Sequence, residues 1–356
     1  MARPLVAQID LAALGHNLAL AKRLAGTARV LAVVKANAYG HGLLRAARAL
    51  RAADGFAVLT LDEASQLRSE GYSHPIVLLE GFFQPDELPE IARRRLQPVI
   101  HREDQAEILI RAKLEHRLDI FVKVDTGMRR LGLPPTRLRD VLFKLRASAN
   151  IGGITLMSHF ARADDPDVGV SAQLATFRAA TAGLDLPVTL ANSAALMGYP
   201  ESHGDWVRPG IMLYGSSPLM GTTGLELGLL PVMSLRSQLI AVQSVRKGEG
   251  VGYGARFVAP RDMRVGIVAC GYADGYPRHA DTGTPVLVEG QRARTLGRVS
   301  MDMLHVDLSE AVHAHIGSPV TLWGDALSVD EVAAASGTVG YELLTALASR
   351  VRVEET

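Results

Sequence analysis

Apolar runs in this sequence repeatedly end on side chains that could do chemistry. These side chains are Lys35, Lys123, Asp125, His159, Asn192, Ser193 and, within the last run, Arg208. Desolvation at the mouth of a core lowers the pKa of a lysine, and the neutral amine can then form a Schiff base with an aldehyde. A lysine, a histidine, a hydroxyl and an arginine around one cavity would suit an aldehyde cofactor with a phosphate tail. Taken singly, each also fits an ordinary structural role, such as a strand-end lysine or a helix cap.

Eight short apolar runs could bring those side chains together. They cover residues 30–34, 56–59, 76–79, 97–100, 120–124, 154–158, 188–191 and 206–213. Segments with helical spacing separate most of them, for example residues 43–53 and 101–116. This alternation predicts an α/β fold with an N-terminal (β/α)₈ TIM-type barrel over residues 11–231. In such barrels chemistry lies at the carboxyl ends of the strands, where the polar residues occur.

The pattern changes after residue 231. Apolar runs there are separated by glycine-rich or charged turns, and helical spacing returns only near residues 328–350. This pattern predicts a C-terminal, mainly β domain over residues 232–356. Residues 1–10 precede the first predicted helix and could join either domain.

Composition limits the classes of function. The 356 residues are 48% hydrophobic, enough for a large core, and 38 basic residues nearly balance 37 acidic ones. A net charge of +1 creates no field that would attract nucleic acid or a membrane surface, so neither is a predicted partner. Cys270 is the only cysteine, which excludes an intramolecular disulfide and a multi-cysteine metal site. We find no signal peptide and predict a cytoplasmic protein without a metal.

Sequence motifs of the common cofactor and hydrolase classes are missing. The sequence lacks G-x-G-x-x-G after a strand and lacks the G-x-x-x-x-G-K-[ST] loop, so nicotinamide and nucleoside-triphosphate chemistry have no signal. Its histidines show no zinc-type spacing, and no G-x-S-x-G marks a hydrolase. The remaining candidate cofactor is pyridoxal phosphate, bound through Lys35.

Eight motifs occur in the order in which alanine racemases carry them. They are VVKANAYGHG, KVDTGMRRLG, SHFARAD, ANSAAL, VRPGIMLYG, VGYGARF, GYADGYPR and GRVSMDM, and the match runs from about residue 5 to residue 345. The chain therefore resembles the alanine racemase family, whose members use pyridoxal phosphate and combine a barrel with a C-terminal β domain. The resemblance implies a homodimer with shared active sites that interconverts L- and D-alanine for peptidoglycan or for catabolism. A broad-specificity or serine racemase on the same fold is the alternative.

Two other classes account for less of the sequence. Amino-acid decarboxylases of similar barrel fold carry a CDG-type cysteine motif, which the β domain lacks. A protein that only carries pyridoxal phosphate would need Lys35 and a phosphate site, and would have no use for Tyr253 or the SMDM segment.

The resemblance assigns most of the cofactor's contacts to the barrel. Lys35 is implied to form the Schiff base with pyridoxal phosphate and, once substrate displaces it, to serve as one of two acid/base groups. The implied phosphate contacts are the hydroxyls of Tyr39, Ser193 and Tyr341 and the backbone amides of Gly210 and Ile211. His159 is implied to lie beside the pyridine ring.

Arg208 resembles the arginine that faces the pyridine nitrogen. Many enzymes with this cofactor place a carboxylate there, whereas an arginine can only donate a hydrogen bond and leaves the nitrogen unprotonated. The carbanion at the substrate's Cα is then less delocalised into the ring. This arrangement favours racemisation over transamination.

Two further barrel residues are implied to act on the substrate side. Arg130 resembles the arginine that contacts the cofactor's phenolic oxygen and the substrate carboxylate. Lys123 resembles a lysine that the family often carbamylates, which converts a cation into an anion able to hold Arg130. An ordinary lysine paired with an acid such as Asp125 is the alternative.

The β domain is implied to complete the site from the partner subunit. Tyr253 resembles the second acid/base group of the reaction. The backbone of Met301 is implied to meet the substrate carboxylate, Asp302 to support that turn, and Tyr272 to narrow the entrance to the site.

Overall fold

The computed structural model describes residues 3–356. Its strands are β1 (Val6–Ile9), β2 (Arg29–Val33), β3 (Gly55–Val58), β4 (Ile76–Leu78), β5 (Gln97–Ile100), β6 (Leu118–Lys123), β7 (Ile151–Met157), β8 (Val188–Thr189), β9 (Trp206–Val207), β10 (Met233–Val245), β11 (Gly250–Val251), β12 (Phe257–Val258), β13 (Met263–Val268), β14 (Pro285–Val288), β15 (Gln291–Leu296), β16 (Leu304–Asp307), β17 (Pro319–Trp323) and β18 (Arg352–Glu355).

Its helices are α1 (Leu11–Ala25), α2 (Lys35–Tyr39), α3 (Leu43–Ala49), α4 (Leu61–Ser69), α5 (Leu88–Arg93), α6 (Glu103–Arg111), α7 (Leu138–Arg146), α8 (Ser171–Thr181), α9 (Ser193–Gly198), α10 (Val329–Ala335) and α11 (Gly340–Thr345). Across residues 3–356, no helix combines the length and the apolar character needed to cross a membrane.

Strands β2 to β9 close a parallel barrel, which confirms the predicted fold class. The barrel closes where β2 pairs with β9, with Arg29 opposite Trp206. Strands β3 and β4 are buried along their whole length, because helices cover the outside of the barrel while side chains fill its interior. Each of the predicted apolar runs overlaps a barrel strand, and seven of the eight agree with their strand to within three residues at either end.

The prediction for the eighth strand is wrong in its length. The sequence predicts a strand over residues 206–213, but β9 ends at Val207 and Ile211–Tyr214 form a short 3₁₀ helix. Pro209 gives the physical reason, since proline has no amide hydrogen to donate to a neighbouring strand. Arg208 therefore lies immediately after its strand rather than within it.

Side-chain caps begin some of the helices that separate the strands. The Asp10 carboxylate accepts a hydrogen bond from the backbone of Ala13 at 2.9 Å at the start of α1. In α4, Thr60 and Glu63 form a capping box, in which each side chain accepts a hydrogen bond from the other's backbone. These caps supply partners for amides that a helix leaves free.

A second sheet has eight strands in the order β13-β16-β15-β14-β17-β10-β1-β18. Strand β1 pairs antiparallel with β10 and parallel with β18, so Val6–Ile9 join this sheet, a choice that the sequence leaves open. The other neighbours are antiparallel, as expected for a mainly β domain. The division of the chain at residue 231 stays a prediction.

Helix α11 brings the second half of the chain back to the barrel. A Cβ on Gly40, just after α2, would lie 2.1 Å from the backbone oxygen of Leu344 in α11. The turn after α2 and the end of α11 are therefore in direct contact. This contact places Tyr341 beside the end of the barrel that carries Lys35.

Candidate active site

A cavity of about 660 Å³ opens at the carboxyl ends of the barrel strands. The predicted site residues that line it are Lys35, Tyr39, Lys123, Arg130, His159, Ser193, Arg208, Gly210, Ile211 and Tyr341. Most of them follow the ends of barrel strands and meet because all parallel strands of a barrel end at the same edge, whereas Tyr341 comes from α11. The structure thus gathers the barrel half of the predicted site around one opening.

Lys35 begins α2, whose backbone is a left-handed turn and not a regular α-helix. The next four residues, Ala36, Asn37, Ala38 and Tyr39, have φ values between 52° and 54° although none is glycine. The left-handed conformation costs an L-residue roughly 1–2 kcal/mol, and asparagine less. Backbone strain of this kind persists where the surroundings fix the chain, as at functional sites. Here the turn directs Lys35 and Tyr39 into the same cavity.

The surroundings of Lys35 favour its neutral amine. Burial lowers the pKa of Lys35, and the nearby Arg130 guanidinium lowers it further. Glu80 and Glu63 act in the opposite direction without reversing the shift in pKa. Because the neutral amine is the nucleophilic form, this environment suits covalent chemistry at Lys35.

Tyr39, Ser193 and Gly210 place hydrogen-bonding groups on one side of the cavity. The Gly210 amide donates to Ser193 Oγ at 2.8 Å. A Cβ on residue 210 would lie 2.4 Å from the phenol oxygen of Tyr39, so the close approach requires glycine. Burial raises the pKa of Tyr39 to about 12, and its hydroxyl therefore stays protonated. Hydroxyls and backbone amides in this arrangement can bind a phosphate without adding charge.

Arg208 is buried and fixed by its neighbours. It donates to Thr189 Oγ1 at 2.6 Å and to the carbonyl oxygens of Ser158 at 2.8 Å and Leu190 at 3.1 Å. Burial lowers the pKa of Arg208 to about 9, and no ion pair within residues 3–356 opposes that shift. The guanidinium still stays charged at neutral pH.

His159 lies against Arg208, with Nδ1 at 3.3 Å from the guanidinium. Burial holds the pKa of His159 well below its usual range, and the charge of Arg208 adds to the shift. The imidazole is therefore neutral, and Nδ1 accepts the hydrogen bond from Arg208. A neutral ring here can pack against a flat ligand without adding to the positive charge of the cavity.

Lys123 ends β6 inside the cavity. Burial lowers its pKa to about 8, and the charges of Arg208 and Arg130 contribute. Asp125 does not neutralise Lys123, because its carboxylate accepts from two backbone amides at 2.9 and 3.1 Å and lies 3.5 Å from the Arg129 guanidinium. In the part of the chain that the structure describes, the alternative pairing of Lys123 with Asp125 is absent.

Positive charge exceeds negative charge around the cavity. The basic residues that line it are Lys35, Lys123, Arg130 and Arg208, and the acidic residues are Glu80 and Glu342. Such an excess suits a ligand that carries phosphate and carboxylate groups.

Four polar residues that line the cavity were not among the predicted site residues, namely Glu80, Asn192, Glu342 and Thr345. Glu80 follows the apolar run 76–79, so it carries the same strand-end signal as Lys35 and could have been found by it. Asn192 lies at a predicted strand end, but the sequence assigned it no role. It lines the cavity, and its side chain caps α9 by accepting from the backbone of Ala195 at 3.0 Å.

The remaining predicted site residues do not line this cavity. They are Tyr253, Tyr272, Met301 and Asp302, all in the second half of the chain. Tyr253 is 70% exposed and Met301 is 53% exposed. The Tyr272 amide donates to the carbonyl oxygen of Ser300 at 3.1 Å, which ties the two loops together. Within one chain, therefore, these residues lie outside the cavity, and the loops of Tyr272 and Met301 form one surface.

A buried carboxylate supports that surface. Asp274 Oδ1 accepts from Arg3 and, at 2.7 Å, from Arg350, whose guanidinium also donates to Asp302 at 2.6 Å. Asp274 Oδ2 accepts from the Gly271 amide at 2.9 Å. Burial alone would raise the pKa of Asp274, but the hydrogen bonds from the two arginines outweigh it and lower the pKa. The charged carboxylate thus links both exposed loops to residues near each end of the chain.

Two family models match the chain. The model of the alanine racemase N-terminal domain matches residues 9–218, and the model of the alanine racemase C-terminal domain matches residues 232–354. The chain belongs to the alanine racemase family. The predictions of an isomerase and of alanine racemase activity are confirmed.

Whole-chain relatives agree with this assignment. Alanine racemase of Nitrosospira multiformis is 56% identical over 354 residues, and the catabolic alanine racemase of Klebsiella aerogenes is 54% identical over 354 residues, each match covering 99% of both chains. The crystal structure of the biosynthetic alanine racemase from Pseudomonas aeruginosa has a TM-score of 0.97 and 50% identity, with 100% of both chains covered. Alanine racemases with biosynthetic and with catabolic names therefore both occur among its relatives.

A further solved structure bears on the cofactor. Alanine racemase from Bartonella henselae, described with covalently bound pyridoxal phosphate, has a TM-score of 0.89 and 29% identity, with 100% of both chains covered. Members of this family thus include a protein that carries the cofactor covalently.

Proposed function

We propose that this chain interconverts L- and D-alanine with pyridoxal phosphate bound in the barrel cavity. The observation that carries the proposal is the turn that begins at Lys35. It brings an amine of lowered pKa and the Tyr39 hydroxyl to one cavity, opposite a glycine that leaves room for the phenol. An amine for the aldehyde and a polar group for the phosphate are the two anchors that this cofactor needs.

The residues present fit the cofactor. Those that would hold it are Lys35, Tyr39, His159, Ser193, Arg208, Gly210, Ile211 and Tyr341. When bound, pyridoxal phosphate withdraws electrons from the substrate's Cα and so acidifies the α-proton. Arg208 would donate to the ring nitrogen and leave it unprotonated, because a guanidinium has no proton to give up near neutral pH. That choice limits electron withdrawal and favours return of the proton to Cα.

Arg130 and Lys123 would hold the substrate side. Arg130 carries an exposed guanidinium suited to a carboxylate, and Lys123 lies on the same cavity. With a pKa of about 8, roughly a tenth of Lys123 is neutral at pH 7 and can add carbon dioxide to its amine with loss of one proton. The resulting carbamate would be an anion among cations. It would remove one source of repulsion and hold Arg130 in place.

Racemisation needs proton transfer on both faces of a planar carbon. Lys35 reaches the substrate from one side only, so the opposite face requires a second group. We assign it to Tyr253 of the partner subunit, because Tyr253 is 70% exposed on its own chain and does not line the cavity there. The loops that carry Met301, Asp302 and Tyr272 lie on the same half of the chain and would contact the substrate from the partner in the same way. The proposed unit is therefore a homodimer with two shared sites.

Residue ranges and location complete the proposal. We assign the cofactor-binding barrel to residues 11–231, with Tyr341 as the one cofactor contact outside it, and the contacts across the subunit interface to residues 232–356. Cys270 is buried and free, which fits a reducing cytoplasm.

One preparation tests the reaction and the cofactor together. Borohydride reduction of the purified protein should fix pyridoxal phosphate on Lys35, as read by peptide mass spectrometry. Polarimetry should show loss of optical rotation with L-alanine, at a higher kcat/KM than with L-serine or L-lysine. A faster reaction with serine would replace this proposal by a serine or broad-specificity racemase.

A further inference from the structure

The left-handed turn at Lys35 has a buried support outside the cavity. His41 is fully buried, and its Nδ1 lies 3.0 Å from the carbonyl oxygen of Ala38 and 2.9 Å from that of Tyr39. Both partners are acceptors, so Nδ1 carries the proton and donates to both. His41 thus holds two adjacent carbonyls of the strained turn with one hydrogen atom.

The same histidine continues into a stack of aromatic rings. His41 stacks on Tyr214 with ring centroids 4.7 Å apart, and Tyr214 stacks on Tyr39 at 4.6 Å. The Tyr214 hydroxyl donates to the carbonyl oxygen of Val33 at 2.8 Å, two residues before Lys35. The pair His41 and Tyr214 therefore touches both ends of the segment that presents Lys35 and Tyr39.

A histidine at this position is a poor choice for packing alone. His41 Nε2 is buried and has no hydrogen-bond partner within the described residues, which costs stability. An apolar side chain of similar size would fill the space without that cost. What histidine adds is the Nδ1 donor to the turn, and burial keeps the ring neutral by lowering its pKa to about 4.

We propose that His41 and Tyr214 are positioning residues, which fix the turn at Lys35 so that Lys35 and Tyr39 meet the cofactor's aldehyde and phosphate together. This inference rests on the proposed function, because it assigns a role relative to pyridoxal phosphate. Helix α11 supports the turn from another side. The carbonyl oxygen of Leu344 packs against Gly40 so closely that a residue with a Cβ would not fit there. Tyr39 is thereby held from both sides, by Tyr214 and, at 6.1 Å between ring centroids, by Tyr341 on α11.

The test compares His41→Asn with His41→Leu. Asparagine and leucine have nearly the same shape, and both lose the stack on Tyr214, but only the asparagine amide can donate to the carbonyls of Ala38 and Tyr39. The readout is the dissociation constant of the cofactor-free protein for two probes. Pyridoxal phosphate reports both anchors, and pyridoxine 5′-phosphate, which lacks the aldehyde, reports the phosphate side alone.

We expect His41→Leu to weaken binding of both probes by at least about 10-fold and His41→Asn to stay within about 3-fold of the wild-type protein. Leu109→Ala, a fully buried change in α6 away from the turn, should lower the melting temperature and leave both dissociation constants unchanged. This control separates loss of positioning from general loss of stability.

Tyr214→Phe keeps the inference testable if His41→Leu does not fold. The variant retains the stacked ring and loses the hydrogen bond to Val33 O near Lys35. It should therefore weaken pyridoxal phosphate by about 3- to 10-fold and leave pyridoxine 5′-phosphate unchanged.

Two results would overturn the inference. If His41→Leu, or in its absence Tyr214→Phe, binds pyridoxal phosphate as the wild-type protein does, these residues do not position the site. If the wild-type protein itself fails to bind pyridoxal phosphate, both the proposed function and this inference are wrong. Binding by the wild-type protein therefore distinguishes a failure of the proposed function from a failure of this inference alone.

Discussion

The barrel cavity and the loops of the second half of the chain present their proposed site residues in opposite ways. In the cavity, Arg208 is 4% exposed and Lys123 is 6% exposed, and burial shifts both pKa values. On the loops, Tyr253 is 70% exposed and Met301 is 53% exposed. Folding of one chain is enough to shift the pKa of a buried amine, because burial removes water from around it. An exposed phenol gains a defined environment only when another surface covers it.

On the proposed mechanism, folding of one chain is enough to prepare Lys35, whereas Tyr253 reaches its site only when two chains assemble. On that mechanism a single chain supplies the lysine, the phosphate contacts and the arginine at the cofactor ring of each site. The loops that carry Tyr272 and Asp302 are held within one chain, because Arg3 and Arg350 bind Asp274 and Arg350 also binds Asp302. On the proposed mechanism they are thus ready to enter a neighbouring site before any dimer forms.

The largest effect is expected from the buried side of the comparison. Lys35→Ala should lower kcat/KM for racemisation by at least about 10⁴-fold, because it removes both the covalent anchor and one acid/base group. The borohydride-stable link to pyridoxal phosphate should disappear, whereas the exposed Lys144→Ala should keep both properties. A reduced adduct found on another lysine of the wild-type protein would show that the anchor is misassigned.

Tyr253→Phe tests the exposed side and should lower kcat/KM by roughly 10²- to 10⁴-fold. The fall must be equal in both directions, since L- and D-alanine have equal free energy. We propose that Lys35 serves the D-enantiomer and Tyr253 the L-enantiomer, as the family resemblance implies. In deuterium oxide the variant should therefore still exchange the α-proton of D-alanine and lose exchange from L-alanine. The reverse pattern would exchange the two roles.

Mixing the Lys35→Ala and Tyr253→Phe variants tests directly whether Tyr253 acts across the subunit interface. A dimer of one Lys35→Ala chain and one Tyr253→Phe chain has one site with both groups intact if Tyr253 acts across the interface. Random reassociation of equal amounts should then restore about a quarter of wild-type activity. If Tyr253 acts within its own chain, every site lacks one group and no activity returns.

A smaller effect is expected at Lys123, which the cavity buries but which does not transfer the proton. Lys123→Ala should raise KM for alanine and lower kcat/KM by roughly 10-fold, because Arg130 loses its proposed anionic partner. Wild-type protein equilibrated with ¹³C-bicarbonate should show a carbamate signal by NMR that the variant lacks. A wild-type spectrum without that signal would leave Lys123 as a plain amine.

The smallest effect concerns stability and pH at the buried histidine. The pKa of His41 is lowered to about 4 in the folded chain, against about 6.5 when unfolded, so the unfolded state binds the extra proton between these values. The free energy by which the neutral, buried His41 stabilises the folded chain is fully present above pH 6.5 and is lost as the pH falls towards 4. Between pH 7 and pH 4.5 the unfolding free energy of the wild-type protein should fall by roughly 2–3 kcal/mol more than that of His41→Asn. Urea unfolding at several pH values measures this difference, and parallel profiles would contradict it.

Several parts of the site were predictable because their signals are local. The apolar runs identified all barrel strands, and Lys35, His159 and Ser193 were recognisable as polar residues at strand ends. Glu80 carried the same signal and was overlooked. The extent of the last strand was mispredicted, because the apolar residues after Pro209 continue as a 3₁₀ helix rather than as a strand.

Other features depend on contacts between distant segments. The sequence places His41 between two glycines, which predicts a turn. Nothing near it in the sequence indicates that its ring lies between that turn and Tyr214. The rejection of Asp125 as a partner for Lys123 likewise depends on where the backbone of residues 127–129 lies.

Periodicity and ordered motifs are properties of the sequence alone. They were therefore enough to predict the order of strands and helices, the family and the residues that end the barrel strands. The folded chain was needed to show that Val6–Ile9 join the second sheet, that residues 36–39 adopt a left-handed turn, and that burial shifts the pKa values of Lys35 and Lys123. Strand pairing, backbone strain and desolvation all depend on which atoms surround a residue. Those atoms come from parts of the chain that only folding brings together.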